Sequence, residues 1–519
     1  MLQSPLSTLL DWLLALLPIL AVLVLMLRFR WGGAQAGAVG WATALLVAAL
    51  RFGAGWQVLA CAQLKGLLLT LFVLYIIWTA LLFYRVTDEA GVVQSIGAGL
   101  PRLTPDRGLQ ALLLGWVFSA FLQGMGGFGV PVAVVAPLLT GLGFPAVAAV
   151  VIPSVGHAWA VTFGSLGSSF YALMAATGRG GAELAPWSAA LLGLACLGCG
   201  AATLWAAGGW RTLRSNLTAW LIIGVTMAVT QFLVVTHGLW AIGGMMGGLA
   251  GLAVGVMWAR WRAGGLIGED RPTAGMPLGW ALLPYILLVA IVLTAQVPFM
   301  KAALGQVVIR ARFPELITGR GWVTPAGEGR SINLFGHAGA LLTYASLVTY
   351  LLFQRRGCYK PGAAGRIARS VAKKAVRSSL GTAAMVGMAV TMEHAGMTHL
   401  LADGIAQAAG RAFPLAAPFI GVLGAFMTGS NTNSNVVFGG LQQGVAMLLG
   451  VSPLIILAAQ TAGGAIGSAF APAKIIVGCS TVGSGEEESA VLKAVMRYGL
   501  AIVAGLALAT GAAVYLGGS

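Results

Sequence analysis

The sequence predicts an all-α, polytopic membrane protein of about 12–14 transmembrane helices or half-helices, arranged as two inverted repeats with broken or re-entrant helical hairpins. Three observations carry this. Hydrophobic residues make up 58% of the 519 residues, charged residues 8%, and mean hydropathy is +0.90. Soluble domains carry about 25% charged residues, so no water-soluble core could hide this much apolar surface. Apolar stretches near the roughly 20 residues that span a bilayer recur along the whole chain. Finally, the polar run "GSNTNSNVVFGG" at 429–440 stands between "LAAPFIGVLGAFMT" and "VAMLLGVSPLIILAA". Unwound backbone at membrane depth must be buried in protein or line a watery cavity, so this run marks a cavity.

The first apolar run, "LLDWLLALLPILAVLVLML", has no basic region before it and no small-residue cleavage site after it, and reads as a retained helix, not a signal peptide. Arg28 and Arg30 in "RFRW" follow as a weak cytoplasmic marker. The strong marker is "QRRGCYKPGAAGRIARSVAKKAVR", dense in Arg and Lys and free of acids, which the positive-inside rule puts in the cytoplasm. With both inside, the helix around "GLLLTLFVLYIIWTALLFY" runs inward and its counterpart "SSLGTAAMVGMAVTM" runs outward. On this reading residues 1–260 form the first transmembrane half, 261–377 hold connecting helices and the basic cytoplasmic loop, and 378–519 form the second repeat core. The net charge of +16 is scattered through short loops, which excludes a nucleic-acid surface. Cys196 and Cys199 lie on one face of an apolar helix and read as packing residues, not as a redox or metal pair.

The two halves repeat one pattern. "AFLQGMGGFGVPV" begins at Ala120 and "AFMTGSNTNSNVV" at Ala425; each leads to a punctuation at Pro145 or Pro453 and then to a weakly polar stretch, "IPSVGHAWAVTFGSLGSS" or "AAQTAGGAIGSAFAPAK". Repeats of this kind place a substrate site at their interface, with helix N-termini offering free amides to an anion. Side chains of Ser, Thr and Asn add neutral donors that bind a carboxylate and still release it. The first half contributes Gln123, Gly124, Gly126, Gly127, Gly129, His157, Thr162, Gly164 and Ser165. The second contributes Ser430, Asn431, Thr432, Asn433, Ser434, Asn435, Gln460, Thr461, Ser468 and Lys474. The breaks at Gly124–Gly129 and Gly429–Asn435 are expected to meet near the middle of the membrane.

At these residues the chain resembles the L-lactate permease family. The matching stretches are "LTPDRGLQALLLGWVFSAFLQGMGGFGVPVAVVAPLLTGLGFP", "AVTFGSLG", "MTGSNTNSNVVFGGLQ", "GVSPLIILAAQTAGG" and "APAKIIVGCSTVG", in order from the first helix to the last. The resemblance implies a bacterial inner-membrane transporter that moves lactate, and often glycolate, with protons, through paired re-entrant hairpins and an elevator-like motion. This chain departs from the family where it has Gln123 for a usual Glu, Asn431 for a usual Asp, Gly156 and His157 for an Asn-Thr pair, and Ser468 for a usual Lys, with Lys474 six residues later.

Two acids have thus become amides, and each change removes a proton acceptor. Most of the 14 acids lie in loops, among them Asp88, Glu89, Asp106, Glu269, Asp270 and Glu486 to Glu488. Glu393 abuts a spanning segment, so Glu393 and His157 are the expected proton carriers. The expected partners are a small organic anion, a coupling proton or sodium ion, membrane lipid and a second copy in a homodimer. A sodium-coupled carrier of a dicarboxylate or other oxyanion is the alternative. No cofactor and no metal are expected, and a membrane-embedded enzyme is disfavoured because neither an HExxH nor a Walker loop occurs.

Overall fold

Long runs of Leu, Ala, Val and Gly wind into helices here because in hydrocarbon every amide must find its partner within its own segment. The computed structural model describes residues 5–29, 31–127, 129–262 and 276–516; Arg30, Phe128, Glu269 and Asp270 lie outside the described residues. Ten described helices are long and apolar enough to cross a membrane, or eleven if one bent pair counts as a span.

The first half contains α1 (Pro5–Leu27), α2 (Gly33–Leu50), α3 (Trp56–Glu89), the short α4 (Val92–Gly99) and α5 (Arg107–Gln110). A π-helical stretch, Ala111–Phe118, joins α5 to α6 (Ser119–Met125). Then come α7 (Val130–Gly141), α8 (Ala146–Gly156), α9 (Ser168–Thr177), α10 (Gly181–Ser215), α11 (Leu217–Thr236) and α12 (Gly243–Arg262). Next are α13 (Leu278–Gln296), α14 (Pro298–Leu304), α15 (Ala338–Arg355), α16 (Ala363–His394) and α17 (Met397–Ala409). The chain closes with α18 (Phe413–Thr428), α19 (Asn431–Leu448), α20 (Pro453–Gly467), α21 (Pro472–Thr481) and α22 (Glu488–Leu516).

The two halves are inverted and interlocked. Helix α3 lies antiparallel along α16: Gln63 Nε2 donates to Thr391 Oγ1 at 2.9 Å, Trp78 Nε1 to Ser379 Oγ at 2.9 Å, and Arg366 pairs with Glu89 at 2.7 Å. Helix α2 packs on α16 as α15 packs on α3, α1 on α17 as α13 on α4, and α19 on α9 as α7 on α21. Small residues allow the close approaches: a Cβ on Gly40 would meet Val22, and one on Gly387 would come within 2.6 Å of the Trp41 ring. Cys196 and Cys199 are buried in α10 as free thiols.

One element departs from the all-helical expectation. Three nested pairs of two-residue strands form a single long hairpin ahead of α15: β1 (Val308–Ile309) with β6 (Ile332–Asn333), β2 (Arg312–Phe313) with β5 (Gly327–Glu328), and β3 (Leu316–Ile317) with β4 (Val323–Thr324). Pro314 and Pro325 cannot donate to the ladder and leave the strands short. The 261–377 segment therefore holds more than helices and a basic loop. The hairpin tip docks on the first half, where Gly319 N–H donates to Gly53 O at 2.7 Å and Arg320 pairs with Asp11 at 2.7 Å. The basic cluster lies beyond the other end of α15, so with that cluster expected in the cytoplasm the hairpin is expected on the outer face.

Candidate functional site

Two helical hairpins and two broken helices build the site. Helices α18 and α19 fold back on each other, with Ser434 Oγ donating to Gly421 O at 2.9 Å and Gln442 Nε2 to Ala417 O at 3.0 Å. Their break is shorter than the sequence suggests. Gly429 closes α18 in the left-handed region (φ 68°), Ser430 caps α19 by accepting from Asn433 N–H, and Asn431 to Asn435 are already helical. An Asn/Ser/Thr run that looks like unwound chain also contains the residues that start a helix best. In the first half, α6 and α7 are separated by a turn with left-handed Gly127 and Gly129 (φ 50° and 82°).

The broken helices follow. Helix α8 ends at Gly156, the chain bends there by 44° at His157, and the segment leading on to α9 contains three left-handed residues: Ser165 (φ 45°), Leu166 (φ 54°) and Gly167 (φ 78°). For the two that carry side chains this geometry costs about 1–2 kcal/mol each, which the surrounding packing must offset. Helix α20 ends in a 3₁₀ turn, Ser468–Phe470, and α21 restarts at Pro472 after the extended Ala471. That turn packs against the corresponding 3₁₀ turn Ala158–Val161, so the two helices cross at their breaks.

A buried network of neutral polar groups fills the crossing. Asn431 Nδ2 donates to Thr162 Oγ1 at 3.1 Å and Thr461 Oγ1 at 3.3 Å. Asn435 Nδ2 donates to Thr461 Oγ1 at 2.9 Å and Ser169 O at 2.9 Å. The hydroxyls of Ser169 and Thr432 lie 3.0 Å apart, and Gln460 Nε2 donates to Ser434 Oγ at 2.9 Å while Gln442 bonds Gln460. With the amides so oriented, Asn431 Oδ1, Asn435 Oδ1 and Gln442 Oε1 are buried without partners. Asn433 turns away and accepts from Thr382 Oγ1 of α16 at 3.1 Å.

The first hairpin forms a second cluster. Gln123 is buried at the end of α6 with Oε1 unpartnered, held between Gly127 and Gly164: a Cβ on Gly127 would fall on Ser165 Oγ, and one on Gly164 would press within 2.8 Å of Gln123 O. Gly124 and Gly126 are packing positions, where a Cβ would come within 2.6 Å of the α12 backbone at Met245 and 2.8 Å of the Tyr84 ring, whereas a Cβ on Gly129 would meet nothing. The first hairpin touches the 162–169 segment at Ser165 and the second touches it at Thr162 and Ser169, so both breaks meet that segment.

His157 is fully buried, Nδ1 lies 2.6 Å from Pro153 O, and Nε2 has no partner. The proton must sit on Nδ1 to make that bond, which leaves Nε2 as an acceptor. Lys474 Nζ donates to Ser468 Oγ at 3.2 Å. Glu393 stands apart, at the end of α16, in a cavity of about 230 Å³ that it shares with Thr177, Trp322, His399 and Gln443. Sequence reading missed Ser169, Thr382 and Gln442. Gln442 was findable, lying seven residues from Asn435 on one helix face.

The family model described as "L-lactate permease" matches residues 11–517. The chain belongs to the L-lactate permease family. Among the family's curated members it is 27% identical to the L-lactate permeases of Escherichia coli (strain K12) and Bacillus subtilis (strain 168), covering 95% of this chain and 93% and 94% of those relatives. It is 26% identical to the glycolate permease GlcA of E. coli K12 over 95% of this chain and 93% of that one. The crystal structure of the Alcanivorax borkumensis YdaH transporter aligns over 86% of both chains at 14% identity with a TM-score of 0.44. As an L-lactate permease family member with ten or eleven candidate spans, the chain is a multi-pass bacterial membrane protein.

Proposed function

We propose that this protein is a secondary transporter of a small monocarboxylate of the lactate or glycolate kind, which it holds where the two broken helices cross and moves by an elevator-type alternating access. The observation that carries the reading is the buried network of Thr162, Asn431, Asn435 and Thr461, drawn from both halves and lacking a fixed charge among its members. Neutral hydroxyls and amides can turn to donate to a carboxylate or to accept from the hydroxyl of a 2-hydroxy acid. The first-turn amides of α19 and the Lys474 ammonium supply positive potential beside them. On this reading the repeat units run from α1 to α10 and from α13 to α22, with α11 and α12 inserted, in place of the division at 260 and 377. Coupling falls to His157, inside the crossing, or to Glu393, in the outer cavity.

A second reading is favoured by the bare oxygens Asn431 Oδ1, Asn435 Oδ1 and Gln123 Oε1. Neutral oxygens of this kind suit a sodium ion bound beside a dicarboxylate or other oxyanion. Uptake into proteoliposomes, with proton and sodium gradients imposed separately, separates the two. Concentrative L-lactate or glycolate uptake supports the first reading; sodium-driven uptake of a dicarboxylate with no monocarboxylate uptake replaces it with the second.

A further inference from the structure

Away from the crossing, a cavity of about 610 Å³ opens between α3, α9, α13 and the β-hairpin, on the face expected to be outer. Its lining includes Lys301, Arg310, Arg330, His237 and His337 and no acid. Two of these groups are donors with nothing to donate to. Arg330 Nε is buried without a partner, and its guanidinium rests 4.2 Å from the centre of the Phe72 ring, a stacked position that holds it in place. His337 is 6% exposed and stacks flat on Tyr75, 4.9 Å between ring centres. Its Nδ1 accepts from Gly339 N–H at 3.2 Å, so the ring is neutral and carries its proton on Nε2, which has no acceptor. Burial and the Arg330 charge lower the His337 pKa to about 4, in keeping with a neutral ring.

Buried donors without acceptors are costly and uncommon, and two of them in one acid-free cavity are complementary to an anion. We propose that this cavity is an outer binding site for a small carboxylate, with Arg330 and His337 Nε2 as its donors. A guanidinium beside a ring N–H matches the two oxygens of one carboxylate. The volume excludes nothing as small as a three-carbon acid but limits how much polymer or peptide could enter. The site is also connected to the transport core, because Tyr171 and Met174 of α9 line it while Ser169, two residues before Tyr171, belongs to the buried network. It therefore collects substrate from outside before the crossing receives it, a role that rests on the monocarboxylate reading above.

Two measurements test this. In oriented proteoliposomes, Arg330→Gln should raise the KM for L-lactate entering from the hairpin face by about 10-fold, with Vmax within about twofold and the KM from the opposite face unchanged; Arg330→Lys should fall between Gln and the parent. A loss of Vmax at constant KM, or equal changes from both faces, overturns the site. The second measurement needs no transport. A Ser331→Cys variant, whose residue lines the cavity, is labelled with anionic and cationic methanethiosulfonates of similar size. The anionic reagent should react about 10-fold faster, acetate or L-lactate should slow it, and Arg330→Gln in the same chain should abolish both effects. If labelling behaves so while the parent moves no monocarboxylate, the transport reading fails and the carboxylate site stands. Equal labelling by both reagents, or no protection by either acid, overturns the site whatever the uptake shows.

Discussion

Asn431 and Asn435 lie one turn apart on α19 and share the Thr461 hydroxyl as acceptor, so each holds the other's partner in place. Replacing either by Ala removes its amide from the network; one neutral hydrogen bond lost to the anion is worth about 0.5–1.5 kcal/mol, so apparent affinity should fall roughly 2- to 10-fold at normal expression. Gly464 gives an independent check. A Cβ there would fall on Asn431 Oδ1, so Gly464→Ala should displace that amide and weaken uptake as much as Asn431→Ala while every polar side chain of the network is kept. Unchanged KM in these variants would reassign the network to helix packing. His157 shows the value of its surroundings: as a lone histidine it says little, but with Nδ1 committed to Pro153 O, one defined nitrogen is left to act.

The β-hairpin is the element whose placement is easiest to disturb. Asp11 of α1 is buried and takes both Arg51, just past α2, and Arg320 of the hairpin tip. Asp11→Asn should weaken that contact by about 1–3 kcal/mol, because two guanidinium groups lose one shared carboxylate. Limited trypsin digestion should then cut at Arg320 several-fold faster while the helices stay protected; equal rates in parent and variant would show that Gly319 and the tip turn hold the hairpin without the ion pairs. The hairpins of the transport core are different, held by side chains inside the protein. The tip at Gly429 and Ser430 needs a left-handed residue and an N-cap, and those two residues supply them.

At the scale of the whole molecule, α16 and its partner α3 form a frame that meets the core through contacts such as Thr382 with Asn433. The elevator motion proposed above would slide the second hairpin past α16, so joining them should stop it. In a chain freed of native cysteines, cross-linking Thr382→Cys to Asn433→Cys should abolish uptake, and reduction should restore it. Uptake that survives complete cross-linking would confine the motion to the hairpin tips. Coupling is testable on the same scale. If Glu393 carries the proton, Glu393→Gln should abolish uptake driven by a pH gradient and spare counterflow, since exchange moves no net proton; His157→Ala should show that split if the imidazole is the carrier. Concentrative uptake equal to the parent's in both variants would assign coupling elsewhere.

Composition and spacing alone determined that this chain lives in a bilayer, that its halves repeat with opposite sense, and that "AFLQGMGGFGVPV" and "AFMTGSNTNSNVV" each contain a helix break. Those features are local: hydropathy, charge in short loops and capping residues act within a few turns of themselves. The sequence overestimated the unwound run at 429–435, because residues that terminate one helix are the ones that begin the next. Which side chains meet was decided only by tertiary structure. Asn431 reaches Thr162 across 269 residues, Ser169 and Gln442 enter the network from ordinary-looking helical positions, and Arg330 and His337 face one cavity from a segment that the sequence predicts as connecting helices and a basic loop. No periodicity encodes such pairings, since they arise when inverted halves pack together and each buried polar group must find what its neighbours leave free.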